Sequence, residues 1–270
     1  MSRQTDLLPT LDHIVILVSH DTLLGLSERL RDIFIVAPGG THADGLTSNK
    51  LVFFQDGVYI EFIAFHDNID HERRKKHRWG TLKEGSIIDW AFTYPPGRDF
   101  SPTKQRVLNA DTGFLYGEPA FGGRKREDGT ILEWKISAPT DALGSPISPG
   151  WLPFWCLDKT PRELRVPYEV EPALTQHPSG VHGVASLSLF VPEKDLSNLG
   201  KTYASIYDET PTISDDQGWE YEVPSGSATG RHIISLLRYE ESPEVTIKLA
   251  LEGPKCGKVE ILPGLEIDIE

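Results

Sequence analysis

The chain has 270 residues, 39% hydrophobic and 25% charged, an ordinary composition for a packed domain rather than a disordered one. Its 40 acidic side chains outnumber 27 basic ones, and the net charge of −13 argues against a protein that tracks nucleic-acid phosphates or coats anionic membranes. No apolar run reaches the roughly 20 residues that span a bilayer, and the polar start has no secretory h-region. Cys156 and Cys256 lie too far apart to suggest a disulfide framework. The expectation is a soluble, cytoplasmic globular protein.

Residues 11–18 are apolar and β-branched, as a strand covered on both faces should be. A helix follows, with Asp21 as its N-cap and Leu23, Leu26, Leu30, Ile33 and Phe34 at helical spacing. Gly39-Gly40 closes it, and glycine and small polar residues over 41–48 read as a loop. Strands at 50–55 and 58–65 flank Asp56-Gly57, a hairpin signal. The unit is β-α-loop-β-β, with room for one more short strand near Ile35 or in the loop. The charged run 71–77 reads as a solvated loop or helix face.

A second unit has strands at 87–94, 131–137 and 152–157, a short helix at 103–109 and a long proline-bearing loop at 139–153. A third has a strand at 184–191, a helix within 194–207 and strands at 219–223, 233–239 and 245–251. Three passes of one supersecondary unit predict an α+β fold built by repetition. The expected division is a tail at 1–10, two modules over 11–158, a linker at 159–181 and a third module over 182–270 packed on the same domain.

Strand alternation puts Leu11, His13, Val15 and Leu17 on one face, and Tyr59, Glu61, Ile63 and Phe65 on one face of another strand. A carboxylate midway along an apolar strand needs a partner. A histidine or a metal ion would serve, and a purely structural His–Glu hydrogen bond is equally compatible with the spacing. His42 reads as an exposed turn histidine or a proton mover at a pocket rim. Asn49 reads as a pocket donor or a turn residue.

Trp90, Phe92, Trp134, Trp151, Phe154 and Trp155 read chiefly as core or module interface, with a pocket wall as the alternative. Arg124 and Arg126 fit a solvated hairpin better than a carboxylate site, and Cys156 fits inert packing. The segment 38–45 lacks the ending of a P-loop, and the glycine loop at 226–230 has no dinucleotide context, so no nucleotide cofactor is expected. No nucleophile elbow is present.

Leu-Asp-His-Ile-Val at 11–15, Gly-Gly-Thr-His at 39–42, Asn49 followed by Leu51, and Gly-Val-Tyr-Ile-Glu-Phe-Ile-Ala-Phe at 57–65 together resemble the glyoxalase-like domain proteins of the vicinal oxygen chelate superfamily. Looser likeness continues through 122–129, Trp134, 151–154 and 177–180. The resemblance implies βαβββ modules, two of which wrap into an incomplete barrel with the active site on its concave face. Metal-dependent members use a first-strand His or Gln and a last-strand Glu, which match His13 and Glu61. A divalent ion (Zn, Ni, Mn, Fe or Co) would then polarise a substrate carbonyl.

Two further ligands would come from another module. Their places fall near Asp89 and near Cys156 or Asp158, or in the third pass near Ser186 and Lys248. The resulting expectation is an isomerase or lyase acting on a small carbonyl-bearing molecule. Glu61 and His42 would be catalytic, Asn49, Tyr59, Trp90 and Trp134 would contact substrate, and His13 and Glu61 would take the metal. The alternatives are a metal-free binding protein or cyclase, and an extradiol-type dioxygenase, which would need a third ligand such as His42 or His182. A homodimer is left open.

Overall fold

The strand β1 (Thr10–Leu17) is buried along its whole length, and the first half of the molecule closes around it. The computed structural model describes residues 8–126, 128–208, 217–225, 232–239 and 244–270, so the glycine loop at 226–230 and most of the 1–10 tail lie outside the described residues. After β1 come two short helices, α1 (His20–Leu24) and α2 (Leu26–Arg29), then β2 (Ala37–His42), β3 (Thr47–Phe53) and β4 (Tyr59–Phe65). Ser19, not Asp21, caps α1 by accepting from the Thr22 N–H, and Gly25 separates the two helices.

Of the glycine-rich segment 38–45, residues 38–42 belong to the strand β2, and the loop expected over 41–48 shrinks to 43–46. The glycines of β2 are what allow it to pair: a Cβ on Gly39 would lie 2.1 Å from the Asn49 side chain, and one on Gly40 would lie 2.5 Å from the Lys125 carbonyl oxygen. This is a βαβββ unit. The helix α3 (His71–Lys76) carries the charged run and buries none of its residues.

The second unit comprises β5 (Ser86–Thr93), α4 (Ser101–Asn109), β6 (Phe114–Tyr116), β7 (Ala120–Lys125), β8 (Ile131–Ser137), β9 (Pro139–Asp141) and β10 (Phe154–Asp158). Eight strands close in the order β1-β4-β3-β2-β7-β8-β10-β5, with β6 and β9 paired separately. The barrel expected to be incomplete is therefore closed. Its seam is short, Thr41 opposite Lys125 and His42 opposite Arg124 on β2 and β7. In the segment expected as a linker lie α5 (Arg162–Arg165) and a 3-10 turn (Pro172–Thr175).

The last part contains β11 (Gly183–Pro192), α6 (Glu193–Tyr207), β12 (Gln217–Glu220), β13 (Ile233–Tyr239), β14 (Thr246–Glu252), β15 (Gly257–Leu262) and β16 (Leu265–Ile269). They form a second sheet in the order β12-β13-β11-β14-β16-β15. This order repeats the barrel. β11 runs parallel to β13 and antiparallel to β14, as β1 runs to β4 and β5. β14 is parallel to β16, as β5 is to β10, and β15 pairs with β16 as β8 pairs with β10. The third pass is thus followed by a helix-free fourth, β14 to β16, where three passes were expected.

Register makes the repeat residue-specific. The ladder shifts between Leu11 and His13 and again between Val184 and Ser186, which aligns Ser186 with His13. Val15 lies opposite Glu61 and Ser188 lies opposite Ser235, so Ser235, rather than Lys248, stands where the barrel has Glu61. The helix α6 joins the two sheets. Tyr203 stacks on Trp219 at 5.3 Å and faces Trp90 of β5 at 6.3 Å, and Tyr207 meets Phe92 edge-on. Each of these fully buried rings contributes roughly 1.5–3 kcal/mol of hydrophobic stabilisation. No helix among the described residues is long and apolar enough to cross a membrane.

Candidate functional site

A cavity of about 340 Å³ opens inside the barrel, lined by side chains from β1, β2, β3, β4, β7, β8 and β10. His13, His42, Asn49, Tyr59, Glu61 and Trp134 all border it. Trp90 does not. It alternates with Asp89 and Ala91 along β5, points to the outer core and is fully buried there against Tyr203. The expected substrate contact at Trp90 is therefore corrected to a packing role.

Glu61 is the centre of the arrangement, only 5% exposed. One of its oxygens, Oε1, accepts a 2.5 Å hydrogen bond from Asn49 Nδ2. His42 Nε2 stands 3.5 Å from the same oxygen, and His13 Nε2 stands 3.6 Å from Oε2. Both separations are longer than a good hydrogen bond. Burial pushes the Glu61 carboxyl up, but His42, His13, Asn49 and Arg124 outweigh it and leave it below its ordinary range. His42 also moves below its usual value, because burial opposes its charge more than Glu61 favours it.

Each of these groups is set by a second one. Asn49 Oδ1 accepts from the Gly40 N–H at 3.0 Å and from Arg124 Nη1 at 2.9 Å, which turns the amide nitrogen toward Glu61. His42 Nδ1 meets Thr47 Oγ1 at 2.8 Å. His13 Nδ1 lies 2.6 Å from Asp12 Oδ2, leaving Nε2 to face the cavity. The Tyr59 ring stacks on the His13 ring at 4.7 Å and takes a 2.7 Å bond from Arg165.

Asp12 is fully buried and is gripped by Arg165, at 2.9 and 3.0 Å, and by Arg162. Burial would raise its carboxyl, yet the two guanidinium groups hold it well below the usual carboxylate range. Asp158 shares both arginines. The sequence reading missed this group and also missed Arg124, which is 5% exposed on β7 rather than solvated in a hairpin. One signal was available: Asp12 interrupts an otherwise apolar strand and so demanded a cation.

The second module offers little to a metal. By the symmetry of the β1–β5 ladder, Asp89 matches His13, and Phe154, opposite Ala91, matches Glu61. Phe154 has no donor, and it is this position, rather than Cys156 or Asp158, that corresponds. Asp89 already accepts from Arg78 Nε at 2.8 Å, Trp79 Nε1 at 2.8 Å and the Gly150 N–H at 3.1 Å. His182 pairs with Glu252 and lies outside the cavity. His13 and His42 approach different oxygens of Glu61, and among the described residues no group of three or more His, Cys, Asp or Glu is arranged to hold a metal ion. Three donor side chains thus border the cavity, but they are not gathered around one point as the three protein ligands of a stable catalytic ion would be. Burial raises the Cys156 thiol well above its ordinary value, so it is no nucleophile.

A family model described as a glyoxalase-like domain matches residues 11–205. The chain belongs to this family. The fold is similar to that of a hypothetical protein from Staphylococcus aureus, over 98% of this chain and 99% of that one, with a TM-score of 0.64 and 13% identity. Looser likenesses are to a variant of 4-hydroxymandelate synthase from Streptomyces coelicolor and to BphC, a halotolerant catechol dioxygenase. The first has a TM-score of 0.43 and 13% identity over 91% of this chain and 71% of that one. The second has a TM-score of 0.41 and 10% identity over 92% and 71%. No curated protein matches the sequence.

Proposed function

We propose that this glyoxalase-like protein is an isomerase- or lyase-type enzyme that moves a proton on a small carbonyl compound, with Glu61 as the base. The observation that carries the reading is a buried carboxylate kept ionised at the wall of a largely apolar cavity. Such a group stands deprotonated at neutral pH, is shielded from competing water and is fixed where a carbon acid can be held against it. Glu61 takes the proton from the carbon next to the carbonyl, and the electron pair moves toward the carbonyl oxygen. Asn49 holds one carboxylate oxygen still while the other faces substrate.

His42, largely neutral at physiological pH, accepts or returns a proton at the neighbouring atom, which completes an isomerisation. Loss of a β-substituent at that stage makes the reaction a lyase. The donor arrangement among the described residues does not fit a resident ion, and Glu61 and His42 carry the proton between them. His13 and Glu61 are the pair that a weakly held divalent ion would meet first.

The test is wash-in of deuterium from D2O at the carbon beside the carbonyl, followed by NMR over a panel of small enolisable ketones, aldehydes and 2-oxo acids. Exchange is expected with the wild-type protein and should fall about 10²- to 10⁴-fold in Glu61→Gln. A wild-type protein that binds such compounds without exchanging them would instead be a small-molecule binding protein.

A further inference from the structure

We propose that the cavity takes a carboxylate-bearing substrate and that Arg124 is the group that binds the carboxylate. The proposal rests on the reading of this cavity as the substrate site, and it adds the charge and chemical class of what enters.

Arg124 differs from the other arginines at the cavity. Arg165 is bound to Asp12 and Asp158, and Arg78 is bound to Asp89. Arg124 is 95% buried and makes no ion pair among the described residues; its hydrogen bond runs from Nη1 to the neutral Asn49 amide. A buried guanidinium with no carboxylate directly bonded to it is costly to keep, and burial draws its basicity down more than nearby Glu61 restores it. Its fork has donors to spare, in the planar geometry that matches a carboxylate through two parallel hydrogen bonds.

The placement also fits. Arg124 lies opposite His42 on the barrel seam, and the absent Cβ of Gly40 leaves room beside its Cγ and Cδ. Asn49 stands between Arg124 and Glu61, bonded to both. A direct Arg124–Glu61 pair would have spent the anion-binding group and the base on each other. The interposed amide keeps them apart yet close, so a carboxylate on Arg124 brings the next one or two carbons of the same molecule toward Glu61. Trp79, Trp134 and Phe154 supply an apolar wall for the remainder.

The experiment uses the full chain and phenylglyoxylate, a carboxylate beside a ketone with no exchangeable proton, so that binding is read without turnover. Its uncharged methyl ester is the control. Calorimetry should give saturable binding of the acid with a Kd below about 1 mM, and about 10- to 100-fold weaker binding of the ester. Arg124→Gln should weaken the acid by a similar factor and leave the ester unchanged, with Arg124→Lys in between because it keeps the charge and loses the fork.

Glu61→Gln should bind the acid at least as well as wild type, since a negative charge has been removed. That variant separates the two claims. If deuterium exchange fails but acid binding depends on Arg124, the proton-transfer reading falls and this one stands. Three results would overturn the carboxylate assignment. They are equal binding of acid and ester, unchanged acid binding in a folded Arg124→Gln protein, and displacement of the acid by an equal concentration of inorganic phosphate.

Discussion

Asp12 and His13 are consecutive in a strand, where side chains ordinarily point to opposite faces, yet Asp12 Oδ2 lies 2.6 Å from His13 Nδ1. The register shift of β1 against β5 between Leu11 and His13 is the cause. A bulge locally breaks the alternation and re-aims one side chain. The Asp12 carboxylate then does two things at once, neutralising Arg162 and Arg165 and orienting the His13 ring.

Removing that carboxylate should be severe. Asp12→Ala leaves two guanidinium groups without their shared anion, and the expected loss is about 3–5 kcal/mol of folding stability by denaturant titration. The pH dependence has a defined sign. The folded-state pKa of Asp12 is depressed, so its contribution is complete above the ordinary carboxylate pKa and is lost as pH falls through the lower folded value. Acid titration of wild type should therefore show a stability loss below about pH 4 that Asp12→Ala lacks.

His42 titrates in the opposite sense to a surface histidine paired with a carboxylate. Its folded pKa lies below the ordinary 6.5, so the unfolded chain takes up the proton first and stability declines as pH drops below that value. The catalytic consequence is that the neutral ring survives under mildly acidic conditions. The rate of deuterium exchange should stay level as pH falls through 6.5 and decline only toward the lower folded value of His42. A rate that halves near 6.5 would show an unperturbed histidine.

The pairing of β2 with β3 should be intolerant of a single methyl group. A Cβ at Gly39 would come within 2.1 Å of Asn49 Oδ1 and 2.2 Å of the Asn49 carbonyl oxygen. Gly39→Ala is expected to displace Asn49, cost about 1–3 kcal/mol of stability and reduce exchange activity together with it. A stable Gly39→Ala protein with full activity would mean that Asn49 does not position Glu61.

Metal content is a separate measurement with a clear reading. Protein purified without chelators should carry well under one equivalent of any divalent ion, since Phe154 and the engaged Asp89 occupy the positions that would complete the set. Near-stoichiometric ion that disappears in both His13→Ala and Glu61→Ala would reverse this and bring the metal-dependent reading to the front.

The half of the site that strands β1 and β4 supply was legible because strand periodicity needs only local sequence. Alternation alone puts His13 and Glu61 on interior faces, and a polar residue there is conspicuous. Arg124 was harder to place, since Gly122-Gly123 and the charged residues after it look like a turn, and its partner Asn49 is 75 residues away. The contacts from Arg165 to Asp12 span 153 positions and were invisible in a stretch whose prolines read as a linker. Trp90 was misread for a related reason. Only the docking of α6 shows which face of β5 looks into the cavity and which into the core.

The repeated second sheet has a consequence for how this chain can change. It copies the strand order of the barrel but carries Ser186 and Ser235 where the barrel has His13 and Glu61. On the proposed reading of His13 and Glu61 as the reactive pair, the other copy is released from chemical selection at those two addresses, while the ring stack of Trp90, Tyr203 and Trp219 binds both copies to a common shape. Drift among related chains should accordingly gather on the serine-bearing face and be scarce in the stack. The half that carries serines at those two positions is where this architecture has room to acquire a second trade.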